Sequence, residues 1–116
     1  MFSKLEITDW LGKEKFSGIK DSPGIHYILF AAKWCGFCTR FLDQARSYTP
    51  PNGQILSLVD IDDPDESLWD EYSVRAVPTL LVFKDGKTVF RRDARLGAGL
   101  RLPELEQALN EIPAQA

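Results

Sequence analysis

The chain has 116 residues, 44% hydrophobic and 27% charged, with 14 Lys/Arg against 17 Asp/Glu for a formal net charge of −3. That length suits one domain spanning 1–116, with enough apolar material for a core that needs no disulfide staples. The acidic balance, without any Lys/Arg block, argues against a nucleic-acid or anionic-membrane surface, and no apolar run is long enough to cross a bilayer.

In chain order, residues 4–8 read as an edge strand. Residues 9–20 read as a helix, with Asp9 as its cap and Trp10, Phe16 and Ile19 on its apolar side. Ser22-Pro23-Gly24 breaks the chain, and residues 25–32 form a nearly continuous apolar run, the pattern of a strand buried on both faces. A helix follows at once, because Cys38, Phe41, Leu42 and Ala45 recur at helical spacing until Pro50-Pro51-Asn52-Gly53 ends it. Residues 54–61 read as a second buried strand. Asp63-Pro64 predicts a helix start, with Leu68, Trp69 and Tyr72 buried behind it. A third strand, 79–83, turns through Lys84-Asp85-Gly86-Lys87 into a fourth, 88–91. Gly97-Ala98-Gly99 precedes a last amphipathic helix with Leu102, Leu105, Leu109 and Ile112 on one stripe. The order β-α-β-α-β-α-β-β-α predicts an α/β fold, a central mixed sheet flanked by helices on both faces.

The chain has two cysteines, and they form one Cys-x-x-Cys, Trp34-Cys35-Gly36-Phe37-Cys38. The pair lies where a buried strand gives way to a helix. Cys35 at the helix start faces free backbone N–H groups and the positive end of the dipole, which favour a thiolate. Cys38, one turn on, shares the apolar face of Phe41 and Leu42 and is expected to be buried. Cys35 would then attack a substrate disulfide and Cys38 would resolve the mixed disulfide. Lys33 is close enough in sequence to add positive field. A metal site would need about four ligands, against two cysteines and one histidine, so no metal is expected. A purely structural disulfide is disfavoured, since so short a loop restricts the unfolded chain little. His26 falls at the far end of its strand from the cysteines. Phe16, Phe30, Phe83 and Trp69 read as core, and Asp60, Asp62, Asp63, Asp65 and Glu66 as a solvated acidic face. Trp34 and Phe37, in a turn at the tip of the sheet, read as an exposed apolar docking patch.

From Ile25 to Ile112 the sequence resembles the thioredoxin family. The carriers are Phe30 to Cys38, Val59-Asp60-Ile61-Asp62, and the segment from Tyr72 through Val77-Pro78-Thr79 to Lys87. The resemblance implies a thioredoxin fold and a cis peptide before Pro78, with Val77 free to pair with an extended substrate strand. It also implies an exposed Trp34 beside the disulfide and Gly97 as a close-approach position in the same groove. Four positions depart from the family's pattern. A buried Asp six residues before the first cysteine is Leu29 here, and its Lys partner is Leu58. The proline between the cysteines is Phe37, and a helix-kinking proline is Asp43. The leucines remove both members of a buried ion pair together, which leaves no orphan charge and no internal proton acceptor for Cys38.

The activity expected is that of a protein disulfide oxidoreductase, with the Cys35–Cys38 disulfide as its only redox group and no bound cofactor. Its partners would be protein disulfide or dithiol substrates and a recycling reductase or dithiol donor, and the chain would act as a monomer. The alternative is a binding or redox-sensing module that uses the same groove with little turnover. Both cysteines at the helix start favour the first; Leu29, Leu58 and Phe37 keep the second open. A glutaredoxin-like use of glutathione fits the Val77-Pro78-Thr79 context less well. Met1-Phe2-Ser3-Lys4-Leu5-Glu6 lacks the features of a signal peptide, so a cytoplasmic location is expected.

Overall fold

The computed structural model describes residues 3–113. Met1 and Phe2, which open the stretch read against a signal peptide, and the last three residues of the 1–116 domain lie outside the described residues. The elements run β1 (Glu6–Ile7), α1 (Lys13–Asp21), β2 (Ile25–Ala31), α2 (Gly36–Arg46), β3 (Ile55–Asp60), α3 (Leu68–Glu71), β4 (Thr79–Lys84), β5 (Lys87–Asp93) and α4 (Leu102–Glu111). The strands form one sheet in the order β1-β3-β2-β4-β5. β3 is parallel to β1 and β2, while β4 is antiparallel to β2 and β5.

The central strands β2, β3 and β4 are the apolar runs, and burial on both faces explains why they lack polar alternation. Side chains still alternate between the faces. Tyr27 and Leu29 point to the side of α4, where the Tyr27 hydroxyl donates to the Ile112 carbonyl and the buried Gln54 amide donates to the Leu109 carbonyl at 2.7 Å. α2 packs beside α4 on that side. Phe30 points the other way, into an edge-on cluster with Phe16 of α1 at 5.2 Å and Tyr72 at 5.3 Å. Leu29 lies in register with Leu58 on one neighbour and Leu80 on the other, so three leucines cross the middle of the α2–α4 face side by side. Leu29 is 0% and Leu58 2% exposed, and full burial of each contributes about 1.5–3 kcal/mol.

Two helices differ from their sequence reading. α1 begins at Lys13, not behind Asp9. The intervening Leu11 instead bonds along the open edge of β3, its N–H to the Leu58 carbonyl at 2.8 Å and its carbonyl to the Asp60 N–H at 2.9 Å. A sheet edge offers these backbone groups partners that a helix start would leave unsatisfied. α3 is one short turn from Leu68, not a helix from Asp63-Pro64. The Asp63 carboxylate accepts from the Asp65 N–H at 2.9 Å, a local turn that competes with helix at that point. Between β4 and β5, Asp85 and Gly86 both take positive φ, 50° and 83°, as a two-residue hairpin turn requires.

Candidate functional site

β2 delivers the chain to the edge of the sheet at Ala31, and a tight turn returns the Cys35 N–H to the Ala32 carbonyl at 3.2 Å. Cys35 keeps extended backbone angles and caps α2, its own sulfur accepting from the Cys38 N–H at 3.2 Å. A thiol therefore does what a Ser or Asp side chain does at most helix starts. Both thiols are free. Cys35 is 7% exposed and Cys38 1%, so the second cysteine is sealed beneath the first. Burial pushes the Cys38 thiol upward from its ordinary range, and its hydrogen bond to Cys35 and the nearby Cys35 charge add to the rise. The sheet beneath α2 carries Leu29, Leu58 and Leu80, so among the described residues no carboxylate stands on the core side to accept the Cys38 proton.

The Cys35 Sγ also lies 3.5 Å from the Val77 carbonyl. The Val77–Pro78 peptide is cis, both residues are buried, and the adjoining Thr79 hydroxyl donates to the Ala76 carbonyl at 2.9 Å. The turn before β4 thus abuts the cysteine pair. Trp34 is 64% exposed, and its indole N–H donates to the Asp62 carbonyl at 3.0 Å. Gly36 has open space around it. His26 sits at the other end of β2, against the Ser22 and Pro23 carbonyls.

Several expectations about this region require correction. Phe37 is half-buried, not part of an exposed patch: it packs against the core and beneath the loop that follows β5, and the Arg40 guanidinium lies 5.3 Å from its ring centroid. Gly97 is exposed with open space around it, whereas a Cβ at the buried Gly99 would lie 2.9 Å from the Phe37 Cβ, so Gly99 is the glycine that the fold itself packs closely. Both glycines take positive φ, which is why their sequence pattern does not separate them. Lys33 lends little free positive field to the site, since its ammonium pairs with Asp60 at 3.1 Å and Asp62 at 3.6 Å and stands over the Trp10 ring. Asp60 and Asp62 are accordingly half-buried parts of a network, with the Asp62 carboxylate accepting from the Lys33 N–H at 2.6 Å. Trp69 is not core: it is half-buried, its N–H donates to the Ile61 and Asp63 carbonyls, and it lines a surface hollow with Trp34. Sequence reasoning also passed over Leu96, 88% exposed, which borders the Val77 turn across a hollow shared with Arg75 and Ala76. An isolated leucine in a loop carries no periodic signal, so nothing pointed to it.

The profile of the family described as Thioredoxin matches residues 9–111. Thioredoxin from Chlamydia trachomatis serovar D is 41% identical over 72 residues, covering 60% of this chain and 69% of that protein. Thioredoxin H8 from Arabidopsis thaliana is 30% identical over 104 residues, covering 85% of this chain and 64% of that protein. The X-ray structure of Fasciola hepatica thioredoxin superposes with a TM-score of 0.69 at 22% identity, over 90% of this chain and 99% of that one, which shows the common fold. The chain spans less than two thirds of the length of some curated relatives, 14% and 48% in two cases. Among the described residues, no helix is long and apolar enough to cross a membrane.

Proposed function

This chain belongs to the thioredoxin family, and from that membership we propose that it exchanges thiols and disulfides with protein substrates through Cys35 and Cys38. The observation that carries the reading is the pairing of the two sulfurs at one helix start, the first against the surface and the second sealed behind it. The Cys35 thiolate attacks one sulfur of a substrate disulfide, and the other substrate sulfur leaves as a thiolate and takes a proton. Cys38 then loses its proton and attacks the Cys35 sulfur, which closes the Cys35–Cys38 disulfide and releases the second substrate thiol. Two electrons have passed to the substrate, and a dithiol donor or reductase restores the pair. Val77, in the turn beside Cys35, offers its backbone to an extended substrate segment. A reducing compartment such as the cytoplasm suits a pair that must be recycled.

The second step is the slow one in this reading. Cys38 is buried over leucines, so its proton must leave to hydroxide or to a base brought by the partner. The same leucines support a second reading, a binding or sensing module with little turnover. Cys38→Ser separates the roles: a protein disulfide substrate should become trapped on Cys35 as a mixed disulfide, visible by mass spectrometry and released by excess thiol. Trapping by Cys35→Ser instead would reverse the assignment, and trapping without multiple turnover in the parent protein would favour the sensing module.

A further inference from the structure

Beside the cysteine pair, Trp34, Asp62, Pro64 and Trp69 enclose a surface hollow of about 410 Å³ whose walls are almost entirely carbon. Both indole N–H groups are already bonded to backbone carbonyls of the 61–63 segment, which fixes the rings and leaves their faces open. Trp34 immediately precedes Cys35, so whatever fills the hollow lies within a residue or two of the reacting sulfur. The rim is acidic. Asp62 lines it, and Asp63, Asp65 and Glu66 follow with no ion-pair partner among the described residues. Lys33 pairs with Asp60 at 3.1 Å and with Asp62 at 3.6 Å and stands over the Trp10 ring, so its ammonium is outside the lining of the hollow while Asp63, Asp65 and Glu66 keep the rim acidic.

Aromatic faces and carboxylates arranged in this way suit a cation, since the ring quadrupole and the rim charge attract it together while the carbon walls accept its methylene stem. We propose that the hollow is a specificity pocket for a basic side chain, arginine in the first instance, adjacent to the reacting cysteine of a protein disulfide substrate. The inference rests on the thiol-exchange reading above and adds to it a substrate class. A planar guanidinium stacks on indole and still offers N–H groups to Asp62, which an ammonium does less well.

The test uses capped peptides Ser-Gly-Xaa-Cys-Xaa-Gly-Ser as their homodimeric disulfides, with Xaa Arg, Ser, Leu or Glu. Each is reduced by the dithiol form of the full chain, and each rate is divided by that with dithiothreitol to remove the peptide's intrinsic reactivity. The Arg peptide should be reduced about five-fold faster than the Ser peptide, with the Glu peptide slowest. In Trp69→Leu the Arg advantage should fall below about two-fold, and Trp69→Phe should restore part of it, since Phe keeps a weaker ring face. Equal normalised rates for Arg and Ser overturn the proposal without any variant. A Leu peptide ahead of Arg overturns it in favour of an apolar side chain, and an Arg preference untouched in Trp69→Leu assigns the effect to the acidic loop alone. Failure to reduce any of the four peptides sinks both this inference and the thiol-exchange reading, whereas equal reduction of all four sinks only this one.

Discussion

Replacing Gly99 by alanine asks how firmly the loop after β5 holds the cysteine-bearing turn. Gly97 and Gly99 adopt nearly the same backbone, with φ of 78° and 74°. A left-handed alanine costs about 1–2 kcal/mol at either position. At Gly97 that is the whole effect, because no atom lies within 4 Å of the added Cβ. At Gly99 the new Cβ meets the Phe37 Cβ at 2.9 Å, Cγ at 3.1 Å and Cδ1 at 3.2 Å. The first of those contacts is fixed to the backbone and cannot be relieved by rotating the phenyl ring. Overpacking of this kind adds about 1–3 kcal/mol, and Phe37 sits between the cysteines, so the strain falls on the first turn of α2. Gly99→Ala should therefore lose more stability than Gly97→Ala by about 1–3 kcal/mol in urea unfolding followed by tryptophan fluorescence. It should also slow disulfide exchange with a model disulfide, while Gly97→Ala leaves that rate much nearer the parent value. Equal losses of stability in the two variants, or a larger loss at Gly97, would refute the contact between loop and turn as argued.

Leu29→Asp places a carboxylate against Leu58 and Leu80 with no partner, and it should destabilise the fold at pH 7 by about 3–5 kcal/mol. Burial raises such a carboxyl above its unfolded value of about 3.9, so the loss should be smallest below that pH and grow as pH rises; Leu58→Lys in the same chain should recover part of it. A Leu29→Asp variant as stable as the parent and flat with pH would contradict the dry interior described. The raised Cys38 thiol makes a second pH prediction. The unfolded chain begins to ionise that thiol near pH 8.5 while the folded one keeps its proton. The reduced protein should therefore be fully stabilised by this group below about pH 8.5 and lose up to about 1.4 kcal/mol per pH unit above it. Unfolding of reduced parent and Cys38→Ala across pH 7–10 checks this, and parallel curves would rule it out. The closure of the mixed disulfide by Cys38, followed in single-turnover mixing, should likewise keep accelerating into the alkaline range; a rate already level near pH 7 would reveal a base elsewhere.

What was legible beforehand follows the strength of the local signal. The runs around Tyr27–Ala31 and Leu80–Phe83 admit little except buried strands, and Cys38, Phe41, Leu42 and Ala45 admit little except a helix face; all took those places. The start of α1 was not legible, because Leu11 is decided by a vacant edge of β3 that lies nearly 50 residues away in the chain. Asp63-Pro64 carries a helix-start signal that its own side chain defeats by bonding two residues ahead. In the site, the position of the cysteines was readable and their surroundings were not. Whether Gly97 or Gly99 touches Phe37 depends on the path of a loop, and whether Trp69 faces the core or Trp34 depends on where a single short turn begins. Such choices are made by packing across distant segments, and no spacing rule records them.

The sulfur of Cys35 is both the clasp of α2 and the atom that would react. A sulfur that has entered a new disulfide is a poorer acceptor than a thiolate, so attack on a substrate would slacken the clasp on the Cys38 N–H. The loosened turn is the one that carries Cys38, the group that would next close on its neighbour. Under the proposed exchange, reaction and release would be geared to each other: the first bond made would unfasten the segment needed for the second, and completion of the ring would fasten it again by a covalent link.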